Sequence, residues 1–171
     1  FLGIDNVLAL RGDAIKTEAN FRPHPEGHQY AKQLVDQVVE MNSGKYMMDD
    51  VNLDPTNFCI GVAGYPEKHF EAPNMDSDLH YLKLKVDMGA DYIVTQMFFD
   101  NEKFYAFVKS CRDIGITVPI IPGLKPIYTK KQLTVLPKVF HIDLPTALSK
   151  EIIKCKTDEE VEQVGTAWLL H

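Results

Sequence analysis

Seven polar residues stand at or just behind short apolar runs of this sequence: Arg11, Gly12 and Asp13, then Tyr65, Glu67 and His69, then Gln96. Together they supply a guanidinium, carboxylates, a phenol, an imidazole and a carboxamide, a mixture of donors and acceptors suited to gripping a polar heterocycle. The set alone does not fix a reaction. Asp13 reads either as a catalytic carboxylate or as a helix cap or partner for Arg11. For His69 the alternative is an exposed loop imidazole, and for Tyr65 a rim aromatic packed on Pro66. Gln96 is more informative, because an amide within an apolar run must find partners if it is buried. His24 and His28 lie in a proline-rich loop rather than on a rigid element, so no metal is expected. Gly61 and Gly64 do not make a GxGxxG motif, and no P-loop, GxSxG or Cys/His nucleophile pair is present, which weakens the NTPase and hydrolase classes.

These residues are placed by an alternation of short apolar runs with longer amphipathic stretches, the pattern of parallel strands joined by crossover helices. The runs at 6–13, 58–64, 92–99 and 118–123 predict four strands, and their lack of alternation fits strands buried on both faces. Helical spacing predicts helices over 28–41, 76–88 and 101–113. Residues 42–57 read as a long connection. Helical patterns fill the rest, with Pro145 and the capping signal Thr157-Asp158-Glu159-Glu160 dividing it into at least two helices. Four β/α units fit half of an eight-stranded barrel or a small doubly wound sheet, and in either case the chemistry belongs at the C-terminal strand ends.

A chain of 171 residues with 45% hydrophobic and 25% charged residues is expected to form one globular domain. A net charge of −6 without a Lys/Arg block argues against nucleic acid as a partner, although local cations such as Arg11, Lys83 and Lys85 still suit a small anion. No apolar run approaches the ~18 to 20 residues of a membrane span, so a cytoplasmic location without membrane contact is expected. Cys59, Cys111 and Cys155 are widely spaced and are read as inert thiols.

Five blocks, in order, resemble the methylenetetrahydrofolate reductase family: Leu8 to Asp13, Ala63 to His69, Lys83 to Asp91, Thr95 to Asp100 and Ile120 to Ile127. The resemblance implies a (β/α)8 TIM barrel, of which residues 1–171 are expected to be the middle-to-late half, a partial catalytic domain without its early strands and final strand. It implies FAD at the C-terminal mouth, reduced in turn by NAD(P)H and oxidised by a folate in ping-pong fashion, giving 5-methyltetrahydrofolate from 5,10-methylenetetrahydrofolate. Carried over, Arg11, Gly12, Asp13, Tyr30, Ala31, Tyr65, His69, Asp78 and Lys85 fall at FAD-contact positions, Gln96 at the folate pterin, and Ala90 beneath the flavin site. Asp13 would act catalytically, raising the hydride-donating power of the flavin and favouring the cationic folate.

Three positions depart from the family pattern. The proton-donating Glu of a Glu-Phe-Phe-Pro segment has no counterpart, so these residues alone are expected to be inactive, and a non-catalytic flavin- or folate-binding fragment is the alternative. Tyr81 and Leu84 replace an Asn and an Arg that contact FAD in some relatives, and Leu136 replaces a substrate-sandwiching Phe. A half barrel has unpaired edges, so self-association into a homo-oligomer is expected. A different barrel, using Asp13 and His69 as an acid/base pair on a phosphorylated substrate, is a further possibility.

Overall fold

A computed structural model describes residues 3–12, 21–47 and 54–170. Strand β1 (Asn6–Ala9) leads to helix α1 (Ala31–Asn42), then β2 (Cys59–Gly64), α2 (Met75–Asp87), β3 (Tyr92–Met97), α3 (Asn101–Asp113) and β4 (Ile120–Gly123). Three further helices close the chain: α4 (Gln132–Phe140), α5 (Thr146–Lys154) and α6 (Asp158–Leu169). The four strands are parallel and lie in the order β1-β2-β3-β4, with Asn6 opposite Cys59, Gly61 opposite Tyr92 and Ile93 opposite Ile120.

Local chemistry explains the boundaries. Asn74 and Asp100 cap α2 and α3 by accepting the amides of Ser77 (2.8 Å) and Glu102 (3.0 Å). Thr157 Oγ1 accepts the amide of Glu160, so the predicted cap does start α6. Three expectations are corrected. The first strand ends at Ala9, not Asp13, and β3 stops at Met97, where Phe98 turns to stack on Phe104 with ring centroids 4.7 Å apart. Helix α1 begins at Ala31, because Tyr30 is its extended cap residue and Gln33 Oε1 accepts the amides of Gln29 and Tyr30.

One core lies between the sheet and a single helix layer, built from Val35 and Val38 of α1, Leu79 and Leu82 of α2, and Phe107 and Cys111 of α3 on Ile60, Val62 and Ile93. On the other face of the sheet, Leu8, Leu10 and Ile121 are 44%, 51% and 46% exposed among the described residues. On that face Gly61 makes room for Tyr92, whose ring lies 2.3 Å from where a Cβ would sit. A second core joins Leu136, Leu148, Ile152 and Val161 of the three terminal helices to Phe99 and Ile127. Gly165 lets α6 approach so closely that a Cβ there would lie 2.2 Å from the Ile127 carbonyl oxygen. The parallel α/β sheet agrees with the sequence reading. Its four strands remain open at β1 and β4, without barrel closure among the described residues.

Candidate functional site

Each strand ends on the same side of a parallel sheet, so the segments behind β1, β2, β3 and β4 share one rim. Behind β2 the chain turns sharply: Lys68 has φ 76°, and its Nζ donates to the carbonyls of His69 (2.8 Å) and Ala72 (2.6 Å). This loop presents His69, partly buried, with its ring edge-on to Tyr65 (4.6 Å) and tilted on Phe70 (4.8 Å). The His69 amide donates to Asp78 Oδ2 of α2 at 2.9 Å, and the amide of Glu71 approaches His69 Nδ1 at 3.2 Å. Burial lowers the pKa of His69 below 6.5; Arg11 and Lys85 push the same way, against Asp78 and Glu71.

Glu71 in turn joins the loop to the end of β1. Its Oε2 lies 2.7 Å from Arg11 Nη2, and the Arg11 guanidinium sits 5.1 Å above the centre of the Phe21 ring. Two turns along α2 beyond Asp78, Lys85 is partly buried and donates to the Ala63 carbonyl of β2 at 2.8 Å. Desolvation pulls its pKa down to about 8, with Asp78 opposing the shift. The loop and its neighbours therefore gather Arg11, Lys85, an imidazole, a phenol and the two carboxylates of Glu71 and Asp78 from the segments behind β1 and β2 and from α2, with Gly12 directly after Arg11.

Several predicted residues stand elsewhere. Asp13 lies outside the described residues. Tyr30 is half exposed and, with Ala31, opens α1, where its amide is taken by Gln33. Gln96 stays partly buried near the end of β3 and turns its Oε1 back onto the Met97 amide at 3.0 Å, so the local backbone supplies one of the partners its amide needs. Glu67 is structural: its Oε2 accepts the Asp143 amide at 2.6 Å, and Oε1 faces Lys103 Nζ at 3.2 Å, off the line of a hydrogen bond. Leu136 is buried in the terminal helical core, Tyr81 is exposed, and Ala90 is buried just before β3, at the opposite end of that strand from the rim.

Sequence reasoning missed Glu71, which joins the loop to Arg11 across more than fifty residues, Phe21 beneath the Arg11 guanidinium, and Lys68, which closes the loop; none of them leaves a periodic signal. It also missed a cavity of about 460 Å³ behind β3 and β4, walled by Phe98, Phe99, Leu124, Lys125 and Trp168. Trp168 Nε1 donates to the Phe99 carbonyl at 2.9 Å, which holds α6 over that cavity.

Comparison with known proteins adds to this geometry. The family model described as Methylenetetrahydrofolate reductase matches residues 1–171. Methylenetetrahydrofolate reductase 2 of Saccharomyces cerevisiae is 41% identical over 96% of this chain and 26% of its own length. A probable methylenetetrahydrofolate reductase (NADPH) of Caenorhabditis elegans is 36% identical over 96% of this chain and 23% of its own. Methylenetetrahydrofolate reductase (NADH) 1 of Zea mays is 39% identical over 95% and 27%. The chain thus spans about a quarter of the length of these relatives.

Proposed function

The chain belongs to the methylenetetrahydrofolate reductase family, and on that premise we propose that it contributes a flavin- and folate-binding part of a reductase converting 5,10-methylenetetrahydrofolate to 5-methyltetrahydrofolate with NAD(P)H. The observation that carries this reading is the convergence of Arg11, Tyr65, His69, Asp78 and Lys85 on the loop behind β2. FAD fits this donor set. Its pyrophosphate needs cations, and Lys85 is a desolvated ammonium whose lowered pKa marks a charge short of compensation.

In this reading FAD held by these residues would supply hydride transfer between the nicotinamide and the folate, with the two substrates visiting the site in turn. Lys85 and Arg11 supply positive charge, Arg11 exchanging part of its pairing with Glu71 for the ligand. Tyr65 and His69 add donors, His69 in its neutral form, and Gly12, Tyr30 and Ala31 are assigned to the cofactor by the family resemblance. Gln96 keeps its amide nitrogen as a donor while Oε1 holds the Met97 amide, a pairing suited to the amide edge of a pterin. Asp13 is assigned the electrostatic role toward flavin and folate. No residue here is assigned proton donation, because the sequence has no Glu-Phe-Phe-Pro segment.

We also read the four strands as an arc of a (β/α)8 barrel. Two observations support an arc over a doubly wound sheet: the sequential strand order lacks the reversal that defines a switch point, and all three crossover helices cover one face while the other exposes Leu8, Leu10 and Ile121. The open edges of β1 and β4 are the surfaces through which we expect a homo-oligomer or the rest of a barrel to pair. No helix among the described residues is long and apolar enough to cross a membrane, and we place the protein in the cytoplasm.

Reduction of flavin by a nucleotide needs no acid, so it tests these residues directly. Anaerobic NADPH or NADH should bleach the visible absorbance of flavin-loaded protein. A flavin that binds but is reduced by neither nucleotide would refute the assignment.

A further inference from the structure

We propose that Lys68 is a positioning residue that holds His69 in the tautomer bearing its proton on Nε2. Lys68 occupies the left-handed region at φ 76°, which residues other than glycine seldom adopt. Such a backbone persists only where surrounding contacts over-determine it. Here the residue's own side chain does so: the ammonium donates to the carbonyls of His69 and Ala72, at 2.8 and 2.6 Å, with that of Phe70 at 3.5 Å. The Ala72 amide also donates to the His69 carbonyl at 3.0 Å, closing the loop on itself.

The closure carries the amide of Glu71 to 3.2 Å from His69 Nδ1. A ring nitrogen that accepts an N–H bond cannot hold the proton, so the neutral imidazole carries it on Nε2. His69 is anchored from α2, where Asp78 Oδ2 accepts its backbone amide at 2.9 Å, and Tyr65 and Phe70 hold the ring plane. The result is an oriented donor on Nε2, the form of a neutral imidazole that binds a phosphate or carbonyl oxygen. The charged groups facing the ring are Asp78 and Lys85 of α2, Glu71 of the loop and Arg11 behind β1. The inference rests on the proposed function only in taking His69 as a ligand contact.

The test is two-bond proton–nitrogen NMR of protein labelled on histidine nitrogen, with the His69 signals assigned by their loss in His69→Gln. Native protein should show His69 with an unprotonated Nδ1, a protonated Nε2 and a titration midpoint below 6.5. Lys68→Met should give mixed tautomers and raise that midpoint by about half a pH unit or more. Lys68→Gly, which removes the backbone strain along with the ammonium, should behave like Lys68→Met, whereas Lys68→Arg should restore the native pattern. A protonated Nδ1 in native protein overturns the proposal even if a variant fails to fold, as does a Lys68→Met spectrum unchanged at His69. FAD titration of the same variants separates the two readings: a shifted tautomer with unchanged FAD affinity supports the clamp and counts against His69 as a cofactor contact.

Discussion

Replacing Lys85 by Met should make the protein more stable and worse at holding an anion. The folded lysine releases its proton near pH 8, the unfolded one near 10.5. At pH 7, where both states are charged, burial of the ammonium therefore costs about 3 kcal/mol, at ~1.4 kcal/mol per pH unit. Met removes that cost while keeping the stem packed. It also gives up the 2.8 Å bond to Ala63 O, worth ~1 to 2 kcal/mol, and solvent reaching the partly buried side chain trims the gain further. The net expectation is a Lys85→Met protein about 1 to 2 kcal/mol more stable at pH 7. Between pH 8 and 10.5 the unfolded chain binds more protons than the native one, so native stability rises with pH across that window on account of this group. The advantage of Lys85→Met should accordingly shrink from pH 8 upward, vanish at about pH 9 and reverse above it, where the neutral lysine keeps its bond to Ala63 O. Urea denaturation of both proteins at pH 7, 8, 9 and 10, compared as differences so that other titrating groups cancel, measures this. A variant less stable than native at pH 7, or an advantage that does not change with pH, would refute the burial argument.

Other expectations follow from single contacts. Gly165→Ala should destabilise by ~2 to 4 kcal/mol in chemical denaturation, because its Cβ would meet the Ile127 carbonyl at 2.2 Å and push α6 off the strand ends. Trp168→Phe should cost ~1 to 2 kcal/mol, measured by circular dichroism because the sole tryptophan is lost; the cause is the orphaned Phe99 carbonyl, 2.9 Å from the indole nitrogen. Gln96→Glu keeps an oxygen for the Met97 amide but loses the amide donors, so folate affinity should fall about tenfold or more, read as a loss of ~1.4 kcal/mol in a binding titration, while flavin reduction by NAD(P)H persists.

The regular elements were legible because their signals are local. The spacing of Phe104, Phe107 and Cys111 predicts a helix over 101–113, which is α3 to the residue, and Thr157 announces α6. Boundaries slipped where side chains settle the backbone: Phe98 reads as strand by its type but leaves the sheet to stack on Phe104. Pro137 sits inside α4, a helix too short and too interrupted for periodicity to delimit. At the site, the residues behind β1 and β2 could be named from the sequence because strand ends are where a parallel sheet puts its chemistry. What could not be read was the wiring between them. Glu71 pairs with Arg11 from sixty residues away, and Lys68 rather than a glycine makes the turn. Both are side-chain choices between loops, where no period constrains the partners.

The central claim is that the cluster behind β1 and β2 is a flavin site, and titration with FAD tests it most directly. Absorbance and flavin fluorescence should show saturable binding by native protein, weakened about tenfold or more by Lys85→Ala and left unchanged by Lys130→Ala, a lysine of the terminal segment that bonds the Ile153 carbonyl. Binding that Lys85→Ala leaves intact, or that Lys130→Ala weakens equally, would contradict the account.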